Sequence, residues 1–414
     1  MEGIVMLQKT IITPADILLP PYPPESGDWT QWAVIACDQF TSEPEYWEEA
    51  EKIVDGHLST MGLILPEVYL GTDSQKKRDK IIQENMQTIC ERLRLFPDSM
   101  IYLERTLPDG RIRRGIIGKI DLEAYDYTPA SHSAIRPTEE TVVERIPPRV
   151  AVRRSATVEL PHVMLLMDDP QNLVIAPLDG KKPEMEMLYS FPLMLGGGHA
   201  VGYLITGDIL VSLLEALLAY ETQRQGSVVY AVGDGNHSLA SAAAYYRELK
   251  DILGEDVAKA HPARYALVEI VNLHDPSLEF EPIYRLIKNC DPVDVMAALE
   301  AAGTGEGYTT AVAGGTERRL PLPAGHALDI GCLQNFIDGY IKTHPGVICD
   351  YIHGEDALRT LSAAEGCLGF ICSGVDKASL FPYVTQNGPL PRKTFSMGEA
   401  KSKRYYLEAR KIVC

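Results

Sequence analysis

The run Val228, Val229, Tyr230, Ala231, Val232, Gly233, Asp234, Gly235, Asn236, His237, Ser238, Leu239, Ala240, Ser241 constrains this chain more than any other stretch. Its β-branched and aromatic start predicts a strand, two glycines permit a tight turn, and Ser238 to Arg247 supplies small and helix-favouring residues for a helix. A strand, a polar loop and a helix in that order aim unpaired backbone N–H groups and the positive end of a helix at whatever sits above the loop. Phosphate is the expected guest. Asp234, Asn236 and His237 add a carboxylate, an amide and an imidazole, the residue types wanted for metal binding, orientation and proton transfer. The competing reading is a polar surface turn, because short glycine motifs often match by accident.

At 414 residues the chain exceeds a comfortable single core, so two domains, or one with large insertions, are expected. The helix predicted at Pro292 to Ala302 runs into Gly303 to Gly307, which reads as a linker. The expected division is therefore 1–302, a phosphate-binding catalytic domain with an N-terminal extension, and 303–414, a smaller α/β module whose tail packs back on the core. A net charge of -18 argues against a nucleic-acid partner, since phosphate backbones select basic faces. The eight cysteines are scattered without a CxxC pair and read as reduced thiols. Met1 to Lys9 lacks the basic patch and apolar run of a secretory signal, and no apolar run approaches the ~20 residues that span a bilayer. The expectation is a cytoplasmic protein without membrane contact, with a homodimer the macromolecular partner still open.

Along the chain, Pro20, Pro21, Pro23 and Pro24 forbid a regular helix. Trp32 to Ala36 reads as a buried strand with Asp38 on its polar edge. Ser42 and Glu45 form a capping-box pattern for a helix from about Glu45 to His57, and Lys76 to Leu95 reads as a second helix. Pro108, Asp109 and Gly110 between Met100–Thr106 and Arg111–Asp121 predict a hairpin. His162–Leu166 and Val174–Pro177 look like a β pair. Gly196, Gly197, Gly198 and His199 mark a place where backbone passes close to a strand or a ligand. A helix from Asp208 to about Gln223, a buried strand Tyr265–Asn272, alternating strands and helices from Thr309 to Ser373, and a final strand Arg404–Val413 complete the reading.

Holding an anion is not catalysis, so a second group must face the loop. Glu139 or Asp38 could act as general base on a hydroxyl nucleophile. Arg136, Arg145, Arg149, Arg285, Arg392 and Lys393 could neutralise phosphoryl charge, although the run from Ile135 to Arg149 also fits a solvated, ion-paired loop. A Walker loop, a complete dinucleotide fingerprint, a GxSxG elbow and an HExxH pair are all absent.

Gly233 to His237 resembles the Asp-Gly-His-His-Arg motif of the domain of unknown function 1015 family. Arg136 to Arg149 is similar to that family's His-Glu-x-Thr segment, Glu281 to Arg285 to its Pro-Ile-His-Arg turn, and Pro391 to Phe395 to its Pro-x-Lys-Ser/Thr tail. The family in turn resembles the ParB and sulfiredoxin superfamily, which includes the free-serine kinases. The resemblance implies an α/β fold with a mixed sheet, a ParB/sulfiredoxin-like core with large insertions. It also implies a phosphotransferase that moves a phosphoryl group between a nucleotide (ATP or ADP) or pyrophosphate and a small hydroxyl metabolite, free L-serine first, with magnesium. The alternative is a nucleotide-binding (CTP or ATP) switch. In the transferase Glu139 is the base, Asp234 lies near the metal and the transferred phosphate, and His237 contacts phosphate. Gly233, Gly235, Asn236 and Ser238, with Arg136, Arg145, Arg149 and Lys393, bind phosphate; Arg285 takes the substrate carboxylate, and Asp38 and His199 line the substrate. Two positions depart from the family pattern: Ser238 stands where arginine is usual and Thr138 where histidine is.

Overall fold

The computed structural model describes residues 10–413; the expectation about Met1 to Lys9 and the eighth cysteine, Cys414, lie outside them. The chain divides into two compact units. The larger takes the residues up to Pro137, Thr141–Leu278 and the segment from Glu399 on; the smaller takes Thr138–Glu140 and Glu279–Gly398. The division thus comes before residue 302. Strand Phe280–Lys288 pairs with Ile348–His353 and Cys367–Ile371, which ties residues 280–302 to the module that follows them.

The larger unit is built on a twelve-stranded mixed sheet. Its order runs Ile135–Pro137, Tyr230–Asp234, Met164–Met167, Tyr265–Asn272, Ile112–Asp121, Arg94–Thr106, Ala15–Leu19, Ala409–Lys411, Val158–Glu159. His199–Ile205 pairs antiparallel with Arg94–Thr106 and with Glu186–Pro192. Successive residues of a strand point to opposite faces. Accordingly Ile101, Leu103 and Ile117 enter one apolar cluster while Met100, Tyr102 and Ile116 enter another. Because both faces are covered, the centres of these strands, Met100–Leu103 and Ile116–Ile117, are consecutive apolar residues instead of alternating ones.

The predicted hairpin at Asp109–Gly110, the strand Tyr265–Asn272 and the helices Gly207–Gln223 and Pro292–Ala302 are all present. Others differ for local reasons. Trp32 closes a short helix, Asp28–Trp32, and only Val34–Ile35 is strand. The helix Pro44–Val54 starts on its proline without a side-chain cap, so the Ser42–Glu45 capping box does not form. The second helix ends at Thr88, and Arg94 and Leu95 belong instead to the long strand Arg94–Thr106. Residues Ala176–Asp179 are a helical turn; Met164–Met167 finds its partners in Tyr230–Asp234 and Tyr265–Asn272. The final strand is broken into Tyr405–Tyr406 and Ala409–Lys411.

The smaller unit is a six-stranded sheet in the order Thr316–Pro321, Tyr308–Ala313, Cys367–Ile371, Phe280–Lys288, Ile348–His353, with Phe395–Met397 paired to the start of Phe280–Lys288. Leu299 of Pro292–Ala302 and Leu333 of Asp329–Thr343 pack with Phe370 in its core. Among the described residues no helix is long and apolar enough to cross a membrane.

Candidate functional site: the Gly233–Ser238 loop

Strand Tyr230–Asp234 lies between Ile135–Pro137, with Ala231 opposite Arg136, and Met164–Met167, with Asp234 opposite Met164. Gly235 ends it at φ +77°, and helix Asn236–Leu253 begins at once with no side-chain cap. Only glycine suits that turn. A Cβ on Gly235 would lie 2.8 Å from the Val163 Cα, in a conformation that L side chains rarely adopt. The uncapped start leaves first-turn N–H groups and the helix dipole directed at the loop. Gly235 is buried, while Gly233, Asp234, Asn236, His237 and Ser238 are half-buried. A mere surface turn would be exposed.

Asp234 accepts the Gly235 N–H through Oδ1 at 2.9 Å, and its Oδ2 lies 3.4 Å from the Lys403 ammonium. Asp38 stands in the field of the same lysine. Burial pushes the Asp38 carboxyl up, but the His162 imidazole, the Gln39 amide and Lys403 outweigh it and hold the group below the usual aspartate range. His162 Nε2 is 3.8 Å from Asp38 Oδ2, and its Nδ1 is 3.0 Å from the Tyr406 hydroxyl, which also donates to Cys37 Sγ. His237 Nε2 accepts the Val142 N–H at 3.2 Å, so a phosphate contact from His237 would be made through Nδ1. Two carboxylates, an ammonium and two imidazoles are therefore gathered in the larger unit around or beside the loop.

Among the described residues no group of three His, Cys, Asp or Glu forms a metal cluster. Magnesium bound largely through ligand phosphates needs only one or two carboxylates. Asp234 fits that donor set, and the chemistry magnesium supplies when bound is neutralisation of phosphate charge.

Glu139 belongs to the smaller unit, in a three-residue stretch that forms a parallel bridge to Leu390. Its carboxylate accepts the N–H of Lys393 at 3.2 Å and of Thr394 at 3.1 Å. Lys393 adopts φ +56°, and successive N–H groups in such a turn form a small anion nest. Burial raises the Glu139 carboxyl above the usual glutamate range, although the Lys393 amide and charge and the Thr394 amide pull the other way.

Arg285 corrects an expectation. Its side chain is fully buried and donates to Gln334 Oε1 (2.8 Å), Ile283 O (2.5 Å), Lys393 O (2.9 Å) and Arg392 O (3.1 Å). A guanidinium so committed holds the 391–394 turn and cannot take a substrate carboxylate. His199 is also displaced from the substrate role. The sheet runs from Tyr230–Asp234 through Met164–Met167, Tyr265–Asn272, Ile112–Asp121 and Arg94–Thr106 before reaching its strand, and its Nε2 faces Ser190 Oγ at 3.1 Å.

The expected phosphate-binding cations scatter. Arg136 is buried beside the loop strand with Nε bonded to Ser133 O at 2.8 Å. Arg149 pairs with Glu67 and donates to Arg145 O, while the Arg145 side chain is exposed. Lys393 lies in the smaller unit, where its backbone serves Glu139. Sequence reasoning missed Lys403 and His162. The basic run Lys401, Ser402, Lys403, Arg404 was the available signal, but which of its charges turns toward Asp234 depends on pairing with strands hundreds of residues away.

Comparison with curated proteins gives no match. Among solved structures the chain is similar to the free serine kinase in complex with AMP, at 12% identity over 71% of this chain and 91% of that one, with a TM-score of 0.40. A mutant of that kinase with ADP gives 12% identity, 73% and 93% coverage and a TM-score of 0.41. A conserved hypothetical protein from Pyrococcus furiosus gives 12%, 69% and 92%, and 0.37. The sequence model of the family described as "Protein of unknown function (DUF1015)" matches residues 21–411, and the chain belongs to that family.

Proposed function

We propose that the Gly233–Ser238 loop binds the phosphates of a nucleotide or of pyrophosphate, and that the protein transfers a phosphoryl group between that ligand and a small hydroxyl compound, free L-serine first. One observation carries the reading: a glycine-only turn presents an uncapped helix start in a half-buried spot where Asp234 and Lys403 already form an ion pair. N–H groups and an ammonium favour an anion there, and a carboxylate beside them suits a metal-bridged phosphate.

In the transfer the acceptor hydroxyl oxygen forms a bond to phosphorus as the bond to the leaving phosphate breaks, and the hydroxyl proton must go to a base. Asp38, held below its usual range, accepts a proton poorly. Glu139, raised by burial, accepts one better at neutral pH and keeps the role of base. The loop N–H groups and His237 hold the transferred phosphate, and Asp234 would hold magnesium, which would supply neutralisation of phosphate charge.

The test incubates purified protein with labelled serine, magnesium and ATP, ADP or pyrophosphate in turn. Phosphoserine with at least one donor is expected; none with any donor removes serine as acceptor. A second reading, a nucleotide-binding switch without turnover, is favoured by the two N–H groups that already engage the Glu139 carboxylate in its own unit. It predicts nucleotide binding that Glu139→Gln leaves unchanged and no product.

A further inference from the structure

The loop from Gly233 to Ser238 carries no lysine or arginine of its own. A phosphoryl group bound there brings one or two negative charges into a half-buried spot beside the Asp234 carboxylate. The helix start offers only about half an elementary charge in return, so a full cation is needed. Lys403 is in position to supply it: its side chain is 17% exposed and its ammonium stands 3.4 Å from Asp234 Oδ2. The backbone that delivers it is fixed on both sides. Lys403 N donates to Ala400 O, Lys403 O accepts from Arg105 Nη1, and the neighbouring Arg404 is buried against Glu269 at 2.7 Å. The arginine next to the loop strand, Arg136, is itself buried, and Arg149 is paired with Glu67.

We propose that Lys403, delivered by the C-terminal segment, is the cation that binds the ligand phosphate at the Gly233–Ser238 loop, with Asp234 holding the ammonium in place until the phosphate arrives. The proposal rests on the phosphate-binding reading above and adds a residue to it. An ammonium has three donors and no preferred plane, so Lys403 can turn from one carboxylate oxygen to a phosphate oxygen without moving its backbone. The ligand class is a phosphoanhydride such as a nucleoside diphosphate or pyrophosphate.

Asp234 and the phosphate then compete for one ammonium, which gives two substitutions opposite effects. Titration calorimetry on the full chain in metal-free buffer, with pyrophosphate and separately with ADP, reads them. Lys403→Met weakens binding about tenfold or more, Lys403→Arg restores part of it, and Asp234→Asn tightens pyrophosphate binding. Thermal unfolding shows which variants are folded, and Lys403→Gln replaces Lys403→Met if the latter is not. Wild-type binding matched by folded Lys403→Met or Lys403→Gln overturns the role of Lys403 and leaves the phosphate reading standing. Failure of the wild type to bind either ligand, in this buffer and again with magnesium added, overturns both.

Discussion

Gly235 joins the strand to the helix at φ +77°, with the Val163 backbone against it. Gly235→Ala forces a side chain into the left-handed region and against that backbone, so a stability loss of about 2 kcal/mol or more is expected, read as a lower urea midpoint; an unchanged midpoint contradicts the geometry. Glu139 is the residue with a pH signature. Its carboxyl is raised by burial, so ionisation, needed for a base, comes above the usual value of about 4.3. The acidic limb of kcat/KM is then displaced upward, and Glu139→Gln lowers turnover about a hundredfold or more while ADP binding persists. The sign for stability follows: a raised carboxyl contributes fully below its unfolded value, and the contribution is lost as pH rises through its folded value. Cys37, whose thiol burial and the Asp38 charge push up to about 12, should resist iodoacetamide at pH 8 in the native protein and react after unfolding. The glycine turn was legible in the sequence because its constraint is local. The commitment of Arg285 was not, since its acceptors at Gln334, Arg392 and Lys393 are brought to it only by the fold.

The C-terminal segment is the element whose importance exceeds its size. Arg404 pairs with Glu269 and Glu408, and Arg410 with Glu159, all nearly or fully buried. Removing one partner of a buried ion pair costs about 3–5 kcal/mol, so Arg404→Met is expected to lower the urea midpoint sharply, and a chain ending after Gly398 to lose the larger unit's folded state by circular dichroism. Burial pushes the carboxyls of Glu159 and Glu269 up, but Arg410 and Arg153 for the first, and Arg113 and Arg404 for the second, outweigh it and hold both below the usual range. Their contribution is therefore present above about pH 4.3 and lost as pH falls through their lowered values; acid unfolding of Arg404→Met should begin at higher pH than in the wild type. Tyr265–Asn272 could be read from sequence because its apolar run is broken only by Glu269 before Asn272 ends it. The tail was read as one strand, Arg404–Val413, but its break was not legible, because Tyr405–Tyr406 pairs with Val34–Ile35 while Ala409–Lys411 pairs with Ala15–Leu19 and Val158–Glu159.

On the scale of the whole molecule, the family resemblance implied the mixed α/β class, the alternation of strands and helices from Thr309 to Ser373 gave the smaller α/β module, and the change near residue 302 gave a boundary where local composition shifts. The structural division instead follows strand pairing, which assigns Phe280–Lys288 to the smaller unit and returns the residues from Glu399 to the larger. The passage of Thr138–Glu140 into the smaller unit leaves no trace in composition, since it is held by the bridge to Leu390. The Gly233–Ser238 loop, Lys403 and Asp38 belong to the larger unit and Glu139 to the smaller. The most direct measurement is a crystal structure of the full chain with ADP. A phosphate within hydrogen-bond distance of the main-chain N–H groups at 236–238 and of Lys403 Nζ is the predicted result; ADP bound elsewhere, with this loop empty, would contradict the account.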